Sequence, residues 1–217
     1  MDIRGAQINM IGQQIRSWNV LDTNVLQAID GIAREHFVPA PYRDVAFADM
    51  QIPISDGQVM LEPKVIARMI DTLALTADHE VLEIGTGTGY STAVLASLCR
   101  RVVSLEIDPD VAALARNNLA EAGIRNAEVV ENDCFAYCRV GSENAGQFDR
   151  ALVTGSVPEL GPLFLPMVCE SGRIVGIQGH DPVMHAVICR GDDSVTNLFE
   201  TVAPRLYNAR ESAIFEF

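Results

Sequence analysis

The chain has 217 residues and a mass of 23.6 kDa, a length that predicts one domain. Hydrophobic residues make up 48% and charged residues 21% of the sequence, proportions that exclude a largely disordered chain. Sixteen Lys and Arg against 29 Asp and Glu give a net charge of −13, which argues against nucleic acid and against an anionic membrane surface as partners, because both are polyanions.

The sequence shows no pattern typical of export or of a membrane anchor. The N-terminal segment MDIRGAQINMIGQQIR lacks the apolar run of a secretory signal, and no stretch reaches the ~18 apolar residues of a membrane-spanning helix. The cysteine count is odd, which indicates reduced thiols, and Cys134 and Cys138 have no second pair with which to bind zinc. These features predict a cytoplasmic protein without a metal site.

The first part of the chain is polar and helical. Asp22 or Thr23 is suited to cap a helix near residues 22–36, in which apolar residues recur at helical spacing. Pro39 and Pro41 predict an extended connection after it, because proline disfavours helix in the residue that precedes it. The next predicted helix begins at a proline and carries a broad apolar face: Pro63, Val65, Ile66, Met69, Ile70 and Leu73.

Beyond residue 80, short apolar strands alternate with helical segments. The predicted strands are 80–84, 101–107, 127–131, 150–154 and 173–177, followed by two or three strands within 182–217, the last of them SAIFEF. Continuous apolar strands separated by helices are typical of a parallel sheet covered on both faces. The sequence therefore predicts a three-layer α/β fold whose mostly parallel sheet has an antiparallel C-terminal edge, with an N-terminal helical cap.

A glycine-rich loop follows the first of these strands. It reads Gly85-x-Gly87-x-Gly89, with Glu83 two residues ahead of it and a predicted helix after it. Glycines in this context let a ligand approach the backbone closely. A dinucleotide site would need a third glycine where Tyr90 stands, so the loop favours a nucleoside ligand without a pyrophosphate.

Two acidic residues follow the next two strands. Glu106, which lies 21 residues after Gly85, is placed to accept hydrogen bonds from both hydroxyls of a ribose, and Asp133 is a candidate acceptor for an adenine amino group. Taken singly, the glycine run could be a tight turn and either acid a surface charge or a helix cap. All three features at the carboxyl ends of neighbouring strands favour a ligand site at that edge of the sheet.

The sequence resembles a known enzyme family. VLEIGTGTGY, the strand that ends in SLEID, and FDRALVT look like S-adenosylmethionine-dependent methyltransferases of the Rossmann-like class. QQIRSWNVLDTNVLQAI, REHFVPAPYRDVAFADMQIPISDGQ, EPKVIARMIDTL and VTGSVPELGPLFLPMV are together similar to the protein-L-isoaspartate O-methyltransferase family. The resemblance covers residues 7–178 and fades beyond residue 180 to a weak echo in VAPRL.

The resemblance implies a Rossmann-like methyltransferase domain over residues 1–217, with a helical front and substrate-side loop in 1–78 and a cofactor-binding β/α core in 79–217. It implies methyl transfer from S-adenosylmethionine to the carboxylate of isoaspartyl residues in damaged proteins. Such a carboxylate is already ionised at neutral pH, so no general base is expected. The implied cofactor-binding residues are Glu83, Gly85, Thr86, Gly87, Gly89, Glu106 and Asp133.

The acceptor side departs from the family pattern. Leu61 stands where the family has a serine at the substrate site, and Glu62 beside it brings a negative charge toward the expected position of a substrate carboxylate. No catalytic residue is therefore assigned, and Asp49 and Ser156 are only weak candidates for that role. Two alternatives stay open: a divergent paralogue that methylates another acceptor, and a non-catalytic module that binds S-adenosylmethionine.

Overall fold

The computed structural model describes residues 2–139, 143–192 and 194–209. Its strands are, in chain order, β1 (Ile52–Ser55), β2 (Gln58–Met60), β3 (Glu80–Ile84), β4 (Arg101–Glu106), β5 (Ala127–Glu131), β6 (Phe148–Val157), β7 (Val168–His180), β8 (Val183–Arg190) and β9 (Val195–Thr201). Within the described ranges, β1 and β2 form an antiparallel hairpin, and the other strands form a seven-stranded sheet in the order β5-β4-β3-β6-β7-β8-β9.

The sheet is parallel from β5 to β7, and β8 and β9 extend it as an antiparallel edge. This arrangement confirms the predicted fold class. Strands β6 and β7 are longer than the apolar runs 150–154 and 173–177 predicted, because the ladder between β7 and β8 continues through polar residues as far as His180. The predicted strand SAIFEF lies outside the described residues.

Helices connect the parallel strands and build the front of the molecule. They are α1 (Ile3–Asn9), α2 (Thr23–Gly31), α3 (Arg34–Phe37), α4 (Pro63–Leu73), α5 (Tyr90–Ala96), α6 (Pro109–Glu121), α7 (Cys134–Tyr137) and α8 (Gly161–Phe164). The first helix continues as a π-helix (Met10–Ile15) and a 3₁₀ turn (Arg16–Trp18), and further 3₁₀ helices span Ala40–Val45 and Leu165–Met167. No helix of the described ranges has the length and apolar character needed to cross a membrane.

Two predictions for the front segment need correction. Asp22 caps α2 as predicted, but the helix expected over 22–36 ends at Gly31, where Ile32 is extended (φ −99°, ψ 120°). Glycine destabilises a helix by about 1 kcal/mol relative to alanine, so the helix readily ends at Gly31. Pro41, predicted to be extended, lies in the 3₁₀ helix before Val45, because the φ that proline fixes also suits a 3₁₀ turn.

Helices cover both faces of the sheet. Successive residues of a strand point to opposite faces, so Val81 and Val102 pack in one hydrophobic core while Leu82 and Val103 pack in the other. The larger core lies beneath the front helices and α4 to α6, and the smaller one contains side chains from α7 and α8. The predicted three layers are therefore present, with the helical front on one side of the sheet.

Candidate active site

The candidate site lies where the strand order reverses. From β3 the sheet extends outward through β4 and β5, and the chain then returns to place β6 on the other side of β3. Such a switch leaves a crevice at the carboxyl ends of the central strands, where open α/β sheets bind their ligands. The predicted glycine loop follows β3 at this point, and Glu106 ends the neighbouring strand β4.

The glycine loop needs glycine for both conformation and space. Gly85 and Gly87 have positive φ angles of 89° and 54°. A Cβ on Gly85 would lie 2.4 Å from Oγ1 of Thr154, and one on Gly87 would lie 3.1 Å from Cδ1 of Ile54. The Thr154 hydroxyl, on β6, bonds to the carbonyl oxygens of Ile84 and Gly85 at 3.0 and 2.8 Å. The loop backbone is thus held closely against both neighbouring walls.

Gly89 and Thr86, the other two loop residues in the predicted cofactor site, pack against neighbouring elements. Gly89 precedes α5, and a Cβ there would lie 3.3 Å from Leu119 and 3.5 Å from the Cβ of Ala115, so its glycine allows α6 to approach closely. Thr86 is buried, and its hydroxyl lies 2.6 Å from the hydroxyl of Ser104. Thr86 lines a small hollow described below, whereas Gly89 lines neither of the two cavities of the site.

Glu106 joins the end of β4 to the glycine loop. Its Oε2 accepts a hydrogen bond from the N–H of Gly87 at 2.9 Å, and its Oε1 accepts from the N–H groups of Ile107 and Asp108 at 3.0 and 3.2 Å. Burial raises the pKa of Glu106, although these three N–H donors act in the opposite direction. The carboxylate lines the cleft in a fixed orientation and keeps acceptor capacity for hydroxyl donors.

Glu83 lies beneath the loop and does not line either cavity. Its Oε2 accepts hydrogen bonds from the hydroxyls of Thr92 and of Ser104, the latter at 2.6 Å, and Ser104 in turn contacts Thr86. Burial, with a smaller contribution from the charge of Glu106, raises the pKa of Glu83 to about 7, against the effect of the hydroxyl donors. Glu83 therefore lies behind the residues that line the two cavities, where its carboxylate is bonded to Thr92 and Ser104.

Asp133 has two partners in the structure. Its Oδ1 accepts a hydrogen bond from the N–H of Phe135 at 2.8 Å and so caps α7, and its Oδ2 accepts from the side-chain amide of Asn208 at 3.0 Å. Asp133 is thus a helix cap, which was one of the alternatives for this residue, and it lines the cleft as well. Both roles are compatible, because an ionised carboxylate accepts about four hydrogen bonds.

These groups surround a cleft of about 320 Å³. The structure brings Gly85, Gly87, Glu106 and Asp133 together on its walls. Tyr207, in contrast, comes from a part of the chain with little sequence signal, and it lines the cleft with its neighbours in the segment 204–207. That segment overlaps VAPRL, whose weak resemblance to the family was the only sequence signal for it.

The segment 204–207 is tied to the sheet and to the hairpin. Its backbone bonds to Ser156 of β6 twice, through Ser156 N–H to the Pro204 carbonyl at 2.8 Å and Leu206 N–H to the Ser156 carbonyl at 3.0 Å. The Tyr207 hydroxyl donates to the carbonyl oxygen of Asp56, between β1 and β2, at 2.9 Å. The C-terminal segment and the hairpin therefore meet at the cleft.

A second, smaller hollow of about 40 Å³ adjoins the cleft at the glycine loop. The residues that line both cavities are Ile54, Val59, Gly85, Gly87 and Thr154. The hollow is completed by Arg34, Met60, Leu61, Ile66 and Tyr90, together with residues of the glycine loop. Sequence reasoning did not single out Arg34, because its approach to the loop depends on how the front segment packs.

The three acceptor-side candidates differ in position. Leu61 is 6% exposed and lines the hollow. Asp49 lies 2.6 Å from the ammonium group of Lys64 and lines neither cavity. Ser156 is buried and also lines neither cavity, and its hydroxyl has no hydrogen-bond partner among the described residues. Of these three residues, Leu61 is therefore the one that lines the hollow.

Comparison with known proteins shows the family of the chain. The family model for protein-L-isoaspartate(D-aspartate) O-methyltransferase matches residues 6–199. A protein-L-isoaspartate O-methyltransferase 2 of Rhodopseudomonas palustris is 42% identical over 74% of this chain and 72% of its own length. A protein-L-isoaspartate O-methyltransferase 1 of an Anaeromyxobacter species is 38% identical over 85% of this chain and 87% of its own length.

Solved structures are similar in fold. A putative protein-L-isoaspartate O-methyltransferase from Plasmodium falciparum, crystallised with S-adenosyl-L-homocysteine, has a TM-score of 0.76 at 18% identity and covers 95% of this chain and 98% of its own. A second protein-L-isoaspartate O-methyltransferase has a TM-score of 0.74 at 22% identity, over 92% of this chain and 65% of its own. With the sequence matches above, the conclusion is that this chain belongs to the protein-L-isoaspartate O-methyltransferase family.

Proposed function

We propose that this protein is an S-adenosylmethionine-dependent methyltransferase that esterifies the carboxylate of L-isoaspartyl residues in damaged proteins. Membership of the family supports the reaction class, and the names of relatives at 38–42% identity support the acceptor. The five free thiols support a cytoplasmic protein, because reduced cysteines are typical of that compartment.

The cleft suits an adenosine-containing cofactor. Gly85 and Gly87 both line the cleft, and without side chains they let a ligand approach the backbone closely. Glu106 and Asp133 present carboxylate oxygens to the same space, where the hydroxyl and amino groups of adenosine are donors. A volume of about 320 Å³ lies within the range of small-ligand sites. When bound, S-adenosylmethionine supplies an activated methyl group.

The observation that carries the proposal is the shared wall between the two cavities. The cleft and the hollow share Gly85 and Gly87 as lining residues, so a ligand bound in the cleft would lie next to a group bound in the hollow. An ionised carboxylate needs no general base, and the residues of the site have only to hold two reactants together and exclude water. Ile54, Val59 and Leu61 provide apolar walls for that purpose.

One observation favours a second candidate, a paralogue with another acceptor. Leu61 presents an alkyl group to the hollow where the family pattern has a serine, and Oε2 of the neighbouring Glu62 is buried with no hydrogen-bond partner among the described residues. A carboxylate beside the acceptor position repels an anionic acceptor and attracts a cationic one.

The two candidates separate in a methyl-transfer assay with labelled S-adenosylmethionine and a panel of acceptors. The panel holds an isoaspartyl peptide, the matching aspartyl peptide, and peptides of the same length with an amide or an amine in place of the carboxylate. Label in the isoaspartyl peptide alone is expected. Label in the amide or amine peptide would support the paralogue. A sample that binds S-adenosylhomocysteine and labels none of the panel would indicate a binding module.

A further inference from the structure

The acceptor-side hollow contains a buried arginine. Arg34 begins α3 and is 1% exposed, which is rare for this residue type. Its Nε donates to the carbonyl oxygen of Ala46 at 2.9 Å, and one terminal nitrogen donates to the carbonyl oxygen of Leu61 at 3.2 Å. The guanidinium carbon lies 4.5 Å from the centroid of the Tyr90 ring. Arg34 therefore contacts the front segment at Ala46, the loop before α4 at Leu61, and α5 at Tyr90.

Within the described part of the chain, the charge of Arg34 has no counterion at ion-pair distance, 4.0 Å or less. Burial lowers the pKa of Arg34, whereas Tyr90 and the more distant charge of Glu62 raise it. Isolated buried charges are among the most costly features of a folded protein, and they are usually paired or bound to a ligand.

The position of this cation points to the acceptor. Arg34 lines the hollow, whose other walls are the apolar side chains of Ile54, Met60, Leu61 and Ile66 and the residues of the glycine loop and α5. Two of the five N–H donors of the guanidinium are used by the backbone carbonyls described above, and the Tyr90 side chain is a further hydrogen-bonding neighbour. The hollow, at about 40 Å³, has room for a group the size of a carboxylate.

We propose that Arg34 is the residue that selects an anionic acceptor, through a charge-assisted contact between its guanidinium and the acceptor carboxylate in the hollow. The inference rests on the proposed function and deepens it. It accounts for an anionic acceptor in a site where Leu61 replaces the serine hydroxyl of the family pattern and Glu62 adds negative charge. Arg34 would supply the attraction that offsets both changes.

A purely structural clamp is the competing role, because Arg34 also ties Ala46 to Leu61. The test therefore measures selectivity for charge and not only activity. Binding of an isoaspartyl peptide and of its neutral isoasparaginyl counterpart is measured in the presence of S-adenosylhomocysteine, for the wild type, Arg34→Gln and Arg34→Lys. Arg150→Gln is the matched control, because Arg150 Nε also donates to a backbone carbonyl, that of Leu73, at 2.9 Å but lines neither cavity.

The wild type is expected to prefer the carboxylate peptide, and Arg34→Gln to reduce this preference about tenfold or more, since a charge-assisted hydrogen bond is lost. Arg34→Lys should recover part of the preference, Arg150→Gln should keep all of it, and every variant should bind S-adenosylhomocysteine within about threefold of the wild type. An unchanged preference in Arg34→Gln would overturn the role of Arg34 alone. A wild type that binds neither peptide would overturn the proposed function, and the role of Arg34 with it.

A measurement on the unaltered protein covers the case in which Arg34→Gln does not fold. In a crystal structure of the wild type with S-adenosylhomocysteine and the isoaspartyl peptide, an acceptor carboxylate oxygen is expected about 3 Å from a nitrogen of Arg34. A carboxylate bound in the site but beyond hydrogen-bond distance of that guanidinium would overturn the inference while leaving the proposed function in place.

Discussion

The hydroxyl of Tyr207 donates a hydrogen bond to the backbone carbonyl of Asp56 at 2.9 Å, and this contact joins two segments that are 151 residues apart in the chain. Both residues belong to the segments that flank the cleft, one near the C-terminal end of the described chain and the other in the hairpin between β1 and β2. The contact joins the C-terminal segment to the hairpin beside the predicted cofactor site.

Removing that hydroxyl should make the cleft easier to open. Tyr207→Phe is expected to weaken binding of S-adenosylhomocysteine about two- to fivefold, mainly through faster dissociation, because a neutral exposed hydrogen bond contributes about 1 kcal/mol or less. Stopped-flow or surface plasmon resonance measures the dissociation rate. Tyr42→Phe, which lies outside both cavities, is the control, and equal dissociation rates in the two variants would show that the contact does not fasten the cleft.

Replacing Glu106 should lower the affinity for the cofactor far more than it lowers the stability of the fold. Glu106→Gln removes the negative charge that faces the cleft, so affinity for S-adenosylhomocysteine is expected to fall roughly 10- to 100-fold, the range for lost charge-assisted hydrogen bonds. Isothermal titration calorimetry measures the change. Glu131→Gln, at the exposed end of the next strand, should bind as the wild type does, and similar losses in both variants would point to a general charge effect.

Glu83 is expected to make the free energy of unfolding depend on pH. Its pKa is about 7 in the folded protein against an ordinary value of 4.5, so between these values the folded state binds more protons than the unfolded state does. The stability that Glu83 contributes is therefore present below pH 4.5 and is lost as the pH rises through 7.

Glu83→Gln cannot ionise and should escape this loss. Relative to the wild type, its free energy of unfolding is expected to gain on the order of 1–3 kcal/mol between pH 5 and pH 8. Urea denaturation at the two pH values measures this change, and Glu131→Gln corrects for a surface carboxylate. If the difference between variant and wild type is the same at both pH values, Glu83 does not have the raised pKa.

A serine at position 61 should improve the acceptor site at a cost in stability. Leu61→Ser is expected to raise kcat/KM for an isoaspartyl peptide about tenfold, because a hydroxyl in the hollow can donate to the carboxylate. It should also lower the free energy of unfolding by about 2–5 kcal/mol, since the leucine is buried. Leu61→Ala removes the same bulk without adding a donor, and equal kcat/KM values for the two variants would refute the gain from the hydroxyl.

Much of the fold was predictable because it depends on local patterns. Apolar runs located each central strand, and Asp22 and Pro63 marked the starts of α2 and α4. The ends of β6 and β7 were not predictable from apolar runs, because polar residues continue the ladder there. The break of the front helix after Gly31 depends on a single extended residue, which helical spacing alone does not reveal.

The site divides in the same way. Gly85, Gly87, Glu106 and Asp133 were predictable, because the carboxyl ends of parallel strands meet at one edge of a sheet. Arg34 and the segment 204–207 were not, because their approach to the glycine loop depends on packing between distant parts of the chain. The burial of Glu83 beneath the loop was likewise not predictable, because it depends on the packing of Thr92 and Ser104 around the carboxylate.

The proposed function is best tested by the ratio of two kcat/KM values of the wild-type protein, one for an isoaspartyl peptide and one for the matching aspartyl peptide. Both are measured with labelled S-adenosylmethionine at neutral pH, in a sample whose binding of S-adenosylhomocysteine has been established. Methyl ester formation on the isoaspartyl peptide is expected, with a ratio of about 100 or more, equivalent to roughly 2.7 kcal/mol of discrimination. Equal values for the two peptides, or no ester on either, would contradict the proposed function.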